Sequence, residues 1–193
     1  MIVYIHGASA TSESFNYLRE HIGGEDMMLN YDSGNGFKQN LAHMQAELET
    51  VDNIFFVAHS LGGIYALHLA NLIPEQVLGA VTLSTPYGGA ENADFAKYFL
   101  PFSRLLRDIG PASWPMRHAD KIKIQHPWTN IVTVRGSAPW ITGANDGIVT
   151  VASQRQHAEG MELVEIDYNH YEVVLSDWVV RLIQERLPKN TLP

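Results

Sequence analysis

Ile54-Phe55-Phe56-Val57-Ala58-His59-Ser60-Leu61-Gly62-Gly63-Ile64-Tyr65-Ala66-Leu67 joins two periodicities with nothing between them. Its first four residues, two aromatic and two β-branched, read as a short buried strand. Directly after Ser60 a helical pattern begins, with Leu61, Ile64, Tyr65, Leu67, His68 and Leu69 ahead of Pro74. No loop residue separates the two elements, so the chain must reverse at Ser60 itself. A reversal that sharp brings strand and helix nearly into contact and needs small neighbours. Ala58 and Gly62 supply them, two positions either side of the serine. This is the arrangement of a nucleophile elbow, G-x-S-x-G, with Ala in the first position. It predicts strained backbone at Ser60, with Oγ exposed at the strand's C-terminal end. The helix should aim free N–H groups and its positive dipole end at the same spot. A serine that merely caps a helix is the plain alternative. The partners found elsewhere in the chain weigh against it.

Composition narrows the class. At 193 residues, one domain is expected, large enough to bury roughly 70% of its unfolded surface. A content of 46% hydrophobic and 18% charged residues is that of a globular protein. The net charge of −8 argues against nucleic acid or an anionic membrane surface as the main partner. With no cysteine, disulfides and thiolate metal sites are excluded, and a reducing compartment fits. No basic region followed by an apolar run opens the chain. No run reaches the roughly eighteen apolar residues that a membrane span needs. Cytoplasm is the expected setting.

Along the chain, strands are expected at Ile2 to Ile5, Met27 to Tyr31, the Ile54 segment, Val77 to Leu83, Asn130 to Arg135 and Glu162 to Ile166. Helices are expected at Ser12 to His21, Phe37 to Val51, after Ser60, and Tyr171 to Leu187, the last with Val174, Trp178, Leu182 and Glu185 marking its register. Ala90 to Pro127 breaks the rhythm, with helix-like pieces, four prolines and no clean strand. No internal repeat or low-complexity segment is visible. Strands alternating with helices predict an α/β fold: a mostly parallel sheet of about six strands covered on both faces, with right-handed crossovers. Sites in such sheets form beyond the strand C-termini. His6-Gly7, Asp32-Ser33, Ser60, Ser84 to Gly89, Asp146 and His170 all follow expected strands and should converge there.

A serine hydroxyl needs a general base within hydrogen-bond reach, and histidine fits best. Its second nitrogen needs an acceptor that fixes the tautomer. His170, after the last expected strand and before the closing helix, can swing toward Ser60. His43 and His68 lie within helices, and His157 precedes the last strand, at the wrong end of the sheet. Asp146, in Asn145-Asp146-Gly147 after the preceding strand, is the favoured acid, although Asp-Gly is also a common turn. Asp167 is the alternative. An oxyanion formed on the substrate needs aimed N–H donors. Leu61 N–H is one. The second is assigned to Ala8 N–H, in the loop where His6-Gly7-Ala8 lets backbone approach closely. His59 and His6 read as supports for these loops, not as bases.

With these residues in place, the chain resembles the α/β-hydrolase superfamily and, more narrowly, small bacterial triacylglycerol lipases and esterases. The resemblance rests on Val3-Tyr4-Ile5-His6-Gly7, Val57 to Gly63, Leu83 to Gly89, Asn145 to Val149 and Asn169-His170, in the order Ser, Asp, His. It implies an α/β-hydrolase fold and a Ser60–His170–Asp146 triad. It also implies hydrolysis of a small acyl ester through an acyl-enzyme, without a cofactor. A thioesterase or acyltransferase would use the same residues, and a binding module on this fold is the rival from another class. No spaced carboxylate cluster argues for the structural calcium that some lipases carry, and no metal site is expected. The chain departs from the family's larger members in starting at the strand before the oxyanion loop. Its segment 90–127 matches no motif. Phe95, Phe99, Phe102, Leu106 and Ile109 recur there at helical spacing and either pack on the sheet's helices or form a cap over Ser60. Lids emerge at this point in the resembling family. On the cap reading Phe99 and Phe102, with Tyr87 from the adjoining loop, line the substrate pocket.

Overall fold

The computed structural model describes residues 1–90, 104–157 and 159–189. Six strands pair into one sheet: β1 (Ile2–Ile5), β2 (Asp26–Leu29), β3 (Ile54–His59), β4 (Val77–Leu83), β5 (Trp128–Thr133) and β6 (Glu162–Ile166). Their order is β2-β1-β3-β4-β5-β6, with every neighbouring pair parallel. Parallel neighbours require crossovers, and here these are helical. α1 (Asn16–Ile22), α2 (Phe37–Glu47) and α3 (Leu61–Leu72) follow the first three strands; α4 (Arg104–Ile109) and α5 (Trp114–Ala119) lie between β4 and β5. α6 (Val151–Arg155) precedes β6, and α7 (Asp177–Arg186) follows it. Among the described residues no helix is long and apolar enough to cross a membrane.

The two-residue alternation of the strands sorts their side chains into two cores. Val3, Ile5, Ile54, Phe56 and Ala58 join Phe37, Leu41 and Met44 of α2 and Ile64 and Leu67 of α3 on one face. Ile2, Tyr4, Phe55 and Val57 join Phe15, Leu18 of α1 and Val179 and Ile183 of α7 on the other. Burial on both faces is why β1 and β3 read as unbroken apolar runs. Each fully buried side chain of this size contributes about 1.5–3 kcal/mol.

Several boundaries differ from those expected. The second strand stops at Leu29, because Tyr31 leaves the ladder to stack on His6, with ring centroids 4.4 Å apart. α2 ends at Glu47 and not near Val51, where Gln76 Nε2 donates to the turn carbonyls of Leu48 and Val51. The fifth strand begins at Trp128, whose indole N–H donates to Tyr87 Oη at 2.9 Å, and it ends at Thr133. The first helix opens with a 3₁₀ turn, Ser12–Phe15. The closing helix is interrupted: a 3₁₀ turn, Glu172–Leu175, precedes a restart capped by Ser176, whose Oγ accepts from Val179 N–H. The interruption rotates the register, so Trp178 is 44% exposed and Val179, Val180, Leu182 and Ile183 form the buried stripe. Five-residue α6 had no periodic signal. Phe95, Phe99, Phe102 and the Leu106 side chain lie outside the described residues.

The first turn of α3 fixes the centre of the molecule. A Cβ on Gly62 would strike the Ile5 carbonyl oxygen and stand 2.7 Å from that of His6, and one on Gly63 would strike the Thr85 side chain. Bare helix backbone therefore lies directly on the end of β1 and on the loop after β4. Helix propensity alone favours Gly62→Ala by about 1 kcal/mol. The contact opposes it, by about 1–3 kcal/mol for an overpacked site of this kind, and it should win. Thermal denaturation of Gly62→Ala should show a Tm lower by a few degrees. A raised Tm would mean that α3 can lift off β1 freely.

Candidate active site

Ser60 stands between β3 and α3 at φ 53°, ψ −124°, in the region that non-glycine residues rarely adopt. Its backbone is held there by Ser60 N–H donating to Leu83 O at 2.8 Å and Gly63 N–H donating to Ser60 O at 3.0 Å. The expected strain is thus present, imposed by strand pairing on one side and helix on the other.

The loop after β6 delivers His170, which is 3% exposed. Its Nε2 lies 3.1 Å from Ser60 Oγ and its Nδ1 2.8 Å from Asp146 Oδ2. Backbone supports this contact, with His170 N–H donating to Asp146 O at 3.1 Å. A carboxylate only accepts, so Nδ1 carries the proton and Nε2 is left to accept from the serine hydroxyl. Asp146, 1% exposed, takes two further amides on Oδ1, Ile148 N–H at 3.0 Å and Val149 N–H at 2.8 Å. Oδ2 also accepts from Thr133 Oγ1 at 2.6 Å and Gln154 Nε2 at 3.1 Å. Burial by itself would raise this carboxyl. The His170 hydrogen bond and charge, with Thr133 and the Val149 amide, outweigh it and hold the group below its ordinary value. The result is an ionised carboxylate locked against His170 Nδ1, an arrangement that leaves Nε2 facing the hydroxyl whose proton it can take.

Behind Ser60, His59 Nε2 donates to the His170 carbonyl at 2.8 Å, and its ring sits 4.8 Å from that of His170. His6 stacks on Tyr31, with Nδ1 donating to Gly7 O at 2.8 Å and Nε2 accepting from Tyr31 N–H at 3.3 Å. Both histidines support loops and neither contacts the serine hydroxyl. A Cβ on Gly7 would stand 3.0 Å from His59 Nδ1 and 3.2 Å from Ser60 Cβ. The loop carrying Ala8 therefore adjoins the serine. Leu61, the first residue of α3, offers an amide that has no acceptor within the helix.

Not every expected residue belongs here. Asp167 is exposed and lies near Arg135, whose own partner is Glu172; no hydrogen bond joins it to His170. The ring of His157 faces Tyr87, and His68 Nε2 donates to Pro115 O at 3.0 Å. Tyr87 is buried, with its hydroxyl against Thr82 Oγ1 and the Trp128 indole. Thr133 and Gln154 were missed. Neither belongs to a motif, and only the fold brings β5 and α6 onto the Asp146 carboxylate. Among the described residues no three His, Asp or Glu side chains converge as a metal site.

Residues 2–142 match the sequence profile of the alpha/beta hydrolase family. The chain belongs to that family. The match includes Ser60 and stops short of Asp146 and His170. Among solved structures, this alpha/beta hydrolase is similar to the mature lipase BlEst2 of Bacillus licheniformis (TM-score 0.72, 15% identity, covering 96% of this chain and 91% of that one). It is similar to the metagenomic carboxyl esterase MGS0156 (TM-score 0.74, 18% identity, 100% and 71% covered). It is also similar to the Vlm2 thioesterase domain (TM-score 0.61, 17% identity, 97% and 96% covered). The comparison with curated proteins finds no match.

Burial, and next the neighbouring His170, lower the pKa of His59 from 6.5 to about 3, against the opposing bond to the His170 carbonyl. His6 and His68 shift in the same direction, also through burial. The sign follows: the unfolded chain binds these protons first, so stability is full above about pH 6.5 and falls as pH drops toward 3. His59 alone should remove about 2 kcal/mol between pH 6.5 and 5, above the range of most carboxylates. Melting curves across that interval should show a falling Tm, with a shallower fall in His59→Gln. Parallel slopes in the two proteins would contradict the buried neutral His59.

Proposed function

We propose that this alpha/beta hydrolase cleaves carboxylic esters through an acyl-enzyme on Ser60. The observation that supports this most is the continuous contact from Ser60 Oγ to His170 to buried Asp146 at a positive-φ strand-to-helix turn. Ser60 Oγ attacks the ester carbonyl as His170 Nε2 takes its proton. Asp146 keeps Nδ1 protonated and stabilises the imidazolium. The Ala8 and Leu61 amides receive the oxyanion. The tetrahedral intermediate collapses as His170 returns the proton to the leaving alcohol. A water then enters, gives its proton to His170 and releases the acid. These steps require no cofactor.

In this reading residues 1–193 are one domain working in the cytoplasm, and the cap expected at 90–127, with Phe99 and Phe102 on the acyl pocket, is confined to the part before α5, whose Met116 and Ala119 lie in the core beside α3. Two contacts support the cap's place: Ala90 N–H donates to Ile109 O at 2.8 Å, and α4 packs beside the 3₁₀ turn Ser33–Asn35 that follows β2. Thioester cleavage is the second reading. It uses the same atoms with another leaving group, and likeness to a thioesterase domain favours it.

A fluorophosphonate probe should label Ser60 in the wild type and nothing in Ser60→Ala, while the Tm stays nearly constant. The loss in kcat should be on the order of 10⁴ to 10⁶. An unlabelled wild-type protein would point to a binding module. Residual activity above a few per cent in Ser60→Ala would move the nucleophile elsewhere. p-Nitrophenyl esters of graded chain length, run beside acyl-CoA thioesters, separate the two leaving groups.

Asp146→Asn should cut activity far more than Asp167→Asn, since only the first leaves His170 without its anion. Equal losses in the two variants, measured as kcat/KM at pH 7.5, would remove Asp146 from the mechanism.

A further inference from the structure

The carboxylate that holds His170 has a second set of contacts whose direction can be worked out by counting protons. Thr133 Oγ1 has three polar neighbours: Asp146 Oδ2 at 2.6 Å, Ser84 Oγ at 2.8 Å and Gln154 Oε1 at 3.3 Å. It owns one proton. Given to Gln154, that proton would leave hydroxyl and carboxylate lone pairs facing each other at 2.6 Å. It therefore goes to Asp146. Ser84 must then donate to Thr133. Gln154 closes the third side with its amide orientation fixed: Oε1 accepts from Thr133 N–H at 2.9 Å, and Nε2 donates both to Thr133 O and to Asp146 Oδ2, each at 3.1 Å. A flipped amide would put oxygen against oxygen at both places.

All three side chains are fully buried. Ser84 is held at φ 52°, the same left-handed region as Ser60, at the equivalent position one strand over. Backbone bonding pins it, with Ser84 N–H donating to Ile131 O at 2.9 Å. A strained serine whose hydroxyl serves one acceptor in a closed interior is an unusual use of a buried polar group. Its direction of donation, toward the carboxylate, gives it a purpose.

We propose that Thr133, backed by Ser84 and Gln154, is a positioning residue that sets the basicity of His170 through Asp146. Each donor draws negative charge off Oδ2. Removing one concentrates that charge facing Nδ1, and the imidazolium is stabilised. A His170 that keeps its proton to higher pH is a poorer base at neutral pH, so the relay sets where the hydroxyl of Ser60 can be activated. The other groups facing His170 are few. His59 is neutral, Tyr171 meets the ring edge-on at 5.4 Å, and Glu172 is paired with Arg135. Among the described residues no second anion bonds to His170.

The inference rests on the proposed roles of Ser60 and His170, but half of its test needs no turnover. The His170 imidazole is titrated by NMR in wild type, Thr133→Val, Thr133→Ser and Ser84→Ala, and the fluorophosphonate labelling rate is followed against pH in the same proteins. Thr133→Val should move both midpoints upward by roughly half to one pH unit. Ser84→Ala should move them less, in the same direction, and Thr133→Ser should keep the wild-type curves. An unmoved or lowered midpoint in Thr133→Val overturns the proposal, as does Thr133→Ser shifting as far as Thr133→Val. If Thr133→Val does not fold, the Ser84→Ala midpoint decides, and no shift there overturns it. If the probe fails on wild-type Ser60, the proposed function falls, while the NMR midpoints still decide the relay.

Discussion

The absence of any spacer between β3 and α3 is the constraint on which the rest of the structure depends. A strand and a helix joined at one residue leave no room for a Cβ at the helix's second and third positions. Gly62 therefore lies against the carbonyls of Ile5 and His6, and Gly63 against Thr85. Those contacts tie α3 to β1 and to the loop after β4, the two strands flanking β3 in the sheet. The backbone strain at Ser60 is stable because neighbours on both sides oppose its relaxation. Nothing in the local sequence would hold it.

Legibility in the sequence followed the physics of each feature. Apolar runs buried on both faces are long-range packing written as local composition, so β1, β3 and β4 are legible nearly to the residue. The edges of elements were harder. Tyr31 falls in the expected second strand, yet its ring stacks on His6 beyond the strand's end. Trp178 marks the expected register of the closing helix, but Ser176 restarts the helix and turns that residue outward. Ser60, Asp146 and His170 could be named because each sits in a loop after a strand, where topology alone makes them converge. Thr133 and Gln154 could not. A threonine ending a strand and a glutamine on a five-residue helix carry no pattern, and their meeting depends on where β5 stops.

Burial acts on this site with opposite results. At Asp146 it disfavours the charge, and five hydrogen bonds restore it. At His59 it disfavours the charge and little opposes it, so the ring remains neutral beneath the serine. The same low-dielectric environment thus holds one group ionised and another uncharged, depending on how many donors reach it.

The sheet order has a consequence along the chain. In β2-β1-β3-β4-β5-β6 each later strand adds to the edge left by its predecessor once β1, β2 and β3 have joined. His170, supplied by the loop beyond β6, arrives with the last strand. The serine and the imidazole that faces it are thus 110 residues apart in the chain, and a chain clipped before β6 would lack the base.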